Sequence, residues 1–381
     1  MKKKILFVND EMTMGGVARI LNTLLFHIDK TKYDIDLLVL HKRGELLSEI
    51  PNDINVIEGS NFFKTIDIPL HECKLNNIFN KVKLLFYMKT GLINNKIKKE
   101  RKKILNKKYD IEFSAKEGFC TIFVANGDSN LKFNWIQVDY LVSNYSKNHM
   151  DLMKNSLKQI DVNIASSIKS KESYEEVFNI SNVIVLHNLM NDQIIKEEAL
   201  KYQVDYPKDK INLICVARFH RQKGLDRLIK VYARLTDYYS LTIVGDGELK
   251  DELYQLAKDI KVFDKVNWTG TLQNPYPYIK EADLFVLPSL YEGYPTIVIE
   301  SLICGTHVLA LEVAGVKEQL TNKLYGKIIN NSEEDLYNEL YEIRSNKQLL
   351  SDYKKELQNY KYNNQEILSM LYEQFEKGKL T

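Results

Sequence analysis

The stretch Ile211-Asn212-Leu213-Ile214-Cys215-Val216-Ala217-Arg218-Phe219-His220-Arg221-Gln222-Lys223-Gly224 joins a nearly continuous apolar run to a basic loop that closes on a glycine. Apolar along its length rather than in alternation, the run reads as a central strand covered on both faces of a parallel sheet. Leu225, Leu228, Ile229, Tyr232 and Leu235 follow at helical spacing, so the element is strand, loop, helix. Downstream the rhythm repeats. Strands are expected at Leu241–Val244, Leu284–Leu287 and Val308–Leu311, and helices at Glu248–Lys258, Thr296–Cys304 and Glu333–Arg344.

Upstream, a fainter version of the alternation starts with Ile5–Val8 and the helical face Val17, Ile20, Leu21, Leu24, Leu25 and Ile28. Asp36–Leu40, Asn55–Ile57, Ile111–Phe113, Asn134–Val138, Asn163–Ala165 and Val183–Leu186 are further strand candidates. An α/β fold with two Rossmann-like domains is expected: residues 1–188, residues 189–363, and a final segment, 364–381, returning to the first domain. That segment carries Ile367, Leu368, Leu371, Tyr372 and Phe375 at helical spacing, an apolar face that needs a partner. Residues 61–108 break the rhythm and read as an outer excursion of the first domain with one or two helices.

Apolar residues make up 44% of the 381, enough for two cores and too many for a disordered chain. A net charge of +2 gives no warrant for nucleic-acid binding. After Met1-Lys2-Lys3-Lys4 only four apolar residues precede Asn9, Asp10 and Glu11, which makes a strand rather than a secretion segment. Cys73, Cys120, Cys215 and Cys304 are scattered with no CxxC pair, so buried thiols and a cytoplasmic location are expected.

Open parallel sheets bind ligands at the carboxyl ends of their strands, so the loops that follow strands carry the chemistry. Four are unusual. Gly15-Gly16 opens the first helix, where backbone can approach an anion; a tight turn explains the pair equally well. Arg218 and Lys223 can clamp a diphosphate, one as a planar fork and the other as a point charge; a solvated basic loop is the alternative. Gly245-Asp246-Gly247-Glu248 can bring backbone to a base or ribose, or be a plain turn. Glu292 and Glu300 bracket a helix start at Thr296 and Ile297, a natural seat for phosphate, with Pro295 suited to the first turn. Glu300 is then placed for ribose hydroxyls and Glu292 for those of a sugar.

Together these residues resemble retaining glycosyltransferase family 4, which has the GT-B fold of two facing Rossmann-like domains with an interdomain cleft. The Glu-x7-Glu motif matches Glu292 and Glu300, the basic pair matches Arg218 and Lys223, and the glycine loop matches Gly15-Gly16. The similarity is strong over about 210–315 and thinner over 1–30. The resemblance implies a metal-independent transferase that moves a hexosyl or N-acetylhexosaminyl unit from a nucleotide-diphosphate sugar, UDP favoured, to a glycan or lipid-linked acceptor in capsule, lipopolysaccharide or teichoic-type synthesis. It implies further that Gly16 and Gly247 approach the donor and that Leu272 reads the base through its backbone. His187-Asn188 would be the joint between the domains. One departure stands out. Trp135-Ile136-Gln137-Val138-Asp139 places Gln137 where relatives carry an acceptor-side histidine, leaving Gln137 or Asp139 to orient the acceptor; Lys116 and Glu117 are weaker candidates.

Between Lys96 and Lys108 eight Lys or Arg residues accompany one acid, Glu100, beside the apolar patch at 84–88. This predicts contact with an anionic membrane surface, or a solvated lysine face. Asp34-Ile35-Asp36 stands at a strand entrance with its carboxylates expected in solvent. Two other readings stay open: a silent sugar-nucleotide-binding scaffold, and another GT-B enzyme such as an epimerase.

Overall fold

The computed structural model describes residues 2–377 except 14, 67, 69–74, 139, 142–144, 323 and 324, and of residues 76 and 347 the backbone alone. Met14, Cys73 and Asp139 therefore lie outside the described residues. The chain divides into two compact units, Met1–Leu189 with Asn364–Thr381, and Met190–Asn363.

In the first unit, β1 (Lys3–Asn9), α1 (Gly16–His27), β2 (Tyr33–Val39) and β3 (Asn55–Glu58) lead into the helical pair α2 (Leu75–Lys89) and α3 (Ile93–Ile104). The chain continues through β4 (Ile111–Ser114), α4 (Phe119–Ala125), β5 (Leu131–Ile136), α5 (Lys147–Leu157), β6 (Val162–Ala165), α6 (Ile168–Phe178) and β7 (Val183–Val185). The strands form one parallel sheet ordered β3-β2-β1-β4-β5-β6-β7. Along β1 alternate side chains serve opposite cores: Ile5 and Phe7 enter one, Leu6 and Val8 the other. This two-sided burial is why the strand reads as an unbroken apolar run.

In the second unit α7 (Asp192–Glu198) precedes β8 (Ile211–Val216), α8 (Leu225–Ala233), β9 (Tyr239–Val244), α9 (Lys250–Asp259) and β10 (Val266–Gly270). Next come α10 (Tyr276–Glu281), β11 (Leu284–Leu287), α11 (Thr296–Ile303), β12 (His307–Leu311), α12 (Val316–Gln319), β13 (Gly326–Ile329), α13 (Glu333–Ile343) and α14 (Lys347–Leu357). Its parallel sheet is ordered β10-β9-β8-β11-β12-β13. The two strands not predicted, β10 and β13, are its edges. Only Val266 of β10 and Gly326 of β13 are buried, so neither strand carries an apolar run.

The last helix, α15 (Asn364–Lys377), belongs to the first unit. Phe375 sits edge-on to Phe133 at 5.2 Å, Lys3 donates to the Phe375 carbonyl at 3.0 Å, and the Tyr372 hydroxyl accepts the Asp29 N–H at 2.8 Å. No described helix is long and apolar enough to cross a membrane.

Two charge expectations change. Asp36 is buried rather than solvated: it accepts from the Tyr109 hydroxyl and lies 3.1 Å from Lys107, while Asp34 remains half in solvent. The basic run is not one solvated face either. Arg101 is buried with its guanidinium 2.7 Å from Glu112, which has no exposed surface, and 3.1 Å from the Phe123 carbonyl. Burial raises the Glu112 carboxyl above its ordinary range, opposed by Arg101. Removing one partner of such a pair strands a buried charge. Arg101→Ala should therefore lose about 3–5 kcal/mol in urea unfolding, whereas exposed Lys102→Ala should stay within about 0.5 kcal/mol of wild type.

Candidate functional site

Strand order reverses between β8 and β11 in the second unit, the position at which doubly wound sheets bind ligands. The loops leaving these adjacent strands meet there. Lys223, in a single 3-10 turn after β8, puts its ammonium 2.6 Å from Oε1 of Glu292, in the loop after β11. Ser289 donates to the same oxygen at 2.7 Å, and Gln222 lies 3.4 Å from Oε2. The Glu292 side chain is 8% exposed.

The surrounding bonds fix this geometry. Gln222 donates from its side chain to the Tyr291 carbonyl at 2.9 Å and accepts the Leu290 N–H at its backbone carbonyl at 2.8 Å. Arg227, in the first turn of α8, donates to the Pro288 carbonyl and, at 2.7 Å, to Asn331. Asn331 in turn donates to the carbonyls of Leu290 and Glu312 at 3.2 and 3.0 Å. Gly224 lies in the left-handed region at φ 60°, and a Cβ there would stand 2.2 Å from the Pro288 carbonyl oxygen. Only glycine lets the chain pass so close and turn into α8.

Arg218 is exposed at the end of β8, with no side-chain partner among the described residues. His220 accepts the Gln222 N–H at Nδ1, 3.2 Å away, and so caps the turn that carries Lys223. Beyond β9, Gly245 and Gly247 have a packing reason to be glycine. A Cβ at Gly245 would fall 2.0 Å from the Ala217 oxygen, and one at Gly247 would fall 2.7 Å from that of Phe219. Leu272 follows β10 and packs partly against the core beneath α11.

The helix after β11 begins at Thr296 with Pro295 as its cap and no side-chain cap bond. Gln319 holds the Pro295 carbonyl at 3.1 Å. The N–H groups of Thr296 and Ile297 find no acceptor among the described residues, and Glu300 sits one turn further along the helix. Arg218, Lys223, Gly247, Leu272, Glu292, Thr296, Ile297 and Glu300 thus share the carboxyl edge of one sheet. Sequence reasoning passed over Gln222, Ser289 and Arg227, although each lies within or next to the quoted motifs. Asn331 has no local signal, because it reaches the site from the end of β13.

In the first unit Gly15 and Gly16 start α1 and are exposed, and a Cβ at Gly16 would meet nothing within 4 Å. The carboxyl ends of β1, β4 and β5 gather a second polar cluster. Lys116 pairs with Asp10, which raises its ammonium against the opposing effect of burial. Glu117 is buried and accepts the Gln137 N–H at 2.9 Å. Burial raises its carboxyl above the ordinary range. His149, lowered by burial, stacks on Tyr145 at 4.2 Å and stands 3.3 Å from the Tyr140 hydroxyl. The Gln137 side-chain nitrogen is buried without a hydrogen-bond partner among the described residues.

Residues 196–366 match the family model described as Glycosyl transferases group 1. That match spans less than half of the chain and lies mostly in the second unit. A Campylobacter jejuni relative is 29% identical over 221 residues, which is 55% of this chain and 60% of that protein. Its name is N-acetylgalactosamine-N,N'-diacetylbacillosaminyl-diphospho-undecaprenol 4-alpha-N-acetylgalactosaminyltransferase. Solved structures match over nearly the whole chain. HepE of Anabaena in complex with UDP is 14% identical, covers 99% of this chain and 100% of its own, and has a TM-score of 0.70. WaaG, a glycosyltransferase involved in lipopolysaccharide biosynthesis, is 13% identical, covers 98% and 100%, and has a TM-score of 0.67. The structural neighbours are GT-B glycosyltransferases, and the two Rossmann-like parallel-sheet units have their fold.

Local packing separates two kinds of glycine. Gly224→Ala should destabilise the protein by about 2 kcal/mol or more, from left-handed strain and the Pro288 clash. Gly16→Ala, where a Cβ has room, should leave the unfolding midpoint within experimental scatter; an equal loss in both would show that Gly16 is needed for packing.

Glu117 yields a pH signature. A carboxyl raised in the folded state keeps its proton while the unfolded chain releases one, so its contribution to stability is full at low pH. That contribution falls as pH rises from the ordinary glutamate value toward the raised one. Urea unfolding between about pH 4 and pH 7 should show this decline in wild type and a flatter profile in Glu117→Gln.

Proposed function

We propose that the protein is a retaining glycosyltransferase that takes a hexosyl or N-acetylhexosaminyl unit from a nucleotide-diphosphate sugar, with UDP as the favoured nucleotide. Its acceptor is a glycan or lipid-linked saccharide of a cell-surface polysaccharide. The observation that carries this reading is the Lys223–Glu292 pair at the strand-order reversal, on the same sheet edge as exposed Arg218 and the N–H groups of Thr296 and Ile297, which find no acceptor among the described residues.

Departure of the sugar leaves negative charge on the diphosphate. Lys223 gives one N–H to Glu292 and has others for a phosphate oxygen, Arg218 supplies a planar fork, and the α11 amides supply two more donors. With cations in these positions the leaving group is stabilised without a divalent metal. Glu292, held by Lys223 and Ser289, binds hydroxyls of the transferred sugar, and Glu300 those of the ribose. Gly247 and the Leu272 backbone border the nucleoside. Gly15 and Gly16 take part in donor binding, and Gln137 and Asp139 orient the acceptor hydroxyl, which attacks from the face the diphosphate leaves. UDP in the HepE structure, the diphospho-undecaprenol in the name of the Campylobacter relative and the lipopolysaccharide role of WaaG support this choice of donor and acceptor.

Arg218→Ala and Lys223→Ala should each lower transfer by about 100-fold or more while leaving the unfolding midpoint little changed. A panel of UDP-, GDP- and ADP-sugars scored by thermal shift in EDTA should give the largest stabilisation with a UDP-sugar. Product NMR should show the donor's anomeric configuration retained. Full turnover in both variants, or donor binding that EDTA abolishes, would overturn the diphosphate clamp.

A further inference from the structure

The outward side of α2 is apolar. Leu75, Ile78, Phe79, Val82, Leu85 and Phe86 are all exposed, with Phe79 and Phe86 leaving 74% and 58% of their surface uncovered. They recur at spacings of three and four and cover roughly a third of the helix circumference. This rotation is fixed from the inner side. Leu84 is buried in the core, and the Lys81 ammonium is buried against the Thr65 and Ile66 carbonyls at 2.8 and 3.3 Å. Scattered apolar side chains on a surface need no explanation, but a continuous stripe on one helix does.

The charges around the stripe identify its partner. Across α2, the connecting turn and α3, the only acid is Glu100, which is buried and paired with Lys96 and Lys103 at 2.5 and 3.0 Å. Burial opposes ionisation, but Lys96, the Ser60 hydroxyl and Lys103 together hold its carboxyl at about 2. The lysines that the helical pair exposes with no carboxylate partner among the described residues are Lys89 on α2 and Lys98, Lys99 and Lys102 on α3, and Leu92 in the turn between the helices is exposed as well.

We infer that this helical pair docks the protein on an anionic lipid bilayer: the α2 stripe enters the boundary between headgroups and acyl chains, and the lysines pair with headgroup phosphates. Apolar burial plus lysine attraction is the combination that holds an amphipathic helix flat in a membrane interface. A second copy of the chain is the poorer occupant, because self-association through this face would set the same unpaired lysines against one another. The basic residues act selectively. Arg101 and Lys96 hold the first unit together from within, and the outward lysines are left to meet lipid. The surface gives a lipid-linked acceptor a reason to be within reach, but attachment does not depend on the donor assignment.

The test is co-sedimentation of the full chain with phosphatidylcholine vesicles prepared with and without phosphatidylglycerol. Wild type should bind the anionic vesicles, and less so as salt is raised. Phe79→Ser with Phe86→Ser, and separately Lys98→Glu with Lys99→Glu and Lys102→Glu, should each weaken binding by about tenfold or more. Both variants should unfold like wild type and retain its turnover of a soluble donor, which separates failure of attachment from failure of the enzyme reading. The inference is overturned if wild type binds neither vesicle, or if the variants bind as wild type does. It is equally overturned if ultracentrifugation shows a dimer that the phenylalanine pair dissolves, which would assign the stripe to a second copy.

Discussion

The contact between the Lys223 ammonium and Oε1 of Glu292 ties together two loops that the sheet makes neighbours and the sequence keeps far apart. Strands β8 and β11 pair directly, and at that pairing the order of the sheet turns back, where doubly wound sheets bind ligands. Lys223 and Glu292 join the two loops that leave these strands. Each would be costly alone at this depth, since a mostly buried carboxylate needs a cation and donors around it. Ser289 and Gln222 supply the remaining donors, and Gln222 also carries the backbone bond between the two loops. The pair therefore holds the two loops together at the carboxyl edge of the sheet.

The local backbone serves this arrangement. His220 caps the 3-10 turn that lifts Lys223, Gly224 turns left-handed beneath the Pro288 carbonyl, and Arg227 grips that carbonyl from α8. These contacts fix the two loops relative to each other before any ligand is present. The glycine-rich loop after β9 shows the contrasting case. Gly245 and Gly247 are required by the close passage of the Ala217–Phe219 backbone, whether or not a ligand is present. Gly16 has no such packing need.

Much of the fold was legible because parallel strands covered on both faces leave unbroken apolar runs, as at Ile5–Val8 and Ile211–Ala217. The edge strands β10 and β13 were missed for the same reason, since half-exposed edges alternate with polar residues such as Asn267, Thr269 and Lys327. For the site, motif spacing brought out Arg218, Lys223, Glu292 and Glu300, but tertiary support was invisible. Nothing in the sequence around Asn331 says that it will hold the Leu290 carbonyl. Nor does the pattern Asp34-Ile35-Asp36 reveal that Tyr109 and Lys107 will enclose its second carboxylate.

The basic run teaches the same lesson about charge. Counted along the chain, residues 96–108 form one positive block, yet helix periodicity sends its members to opposite fates. Arg101 turns inward to Glu112 and Lys96 to Glu100, while Lys98, Lys99 and Lys102 turn out. The apolar residues of 75–89 divide in the complementary sense, with Leu84 facing the core and Phe79 and Phe86 facing solvent. A helix whose outer face is more apolar than its charged neighbour has inverted the usual arrangement of a surface helix. Such an inversion marks a face suited to a partner other than water, and the lysines beside it favour one that is negatively charged, as proposed above.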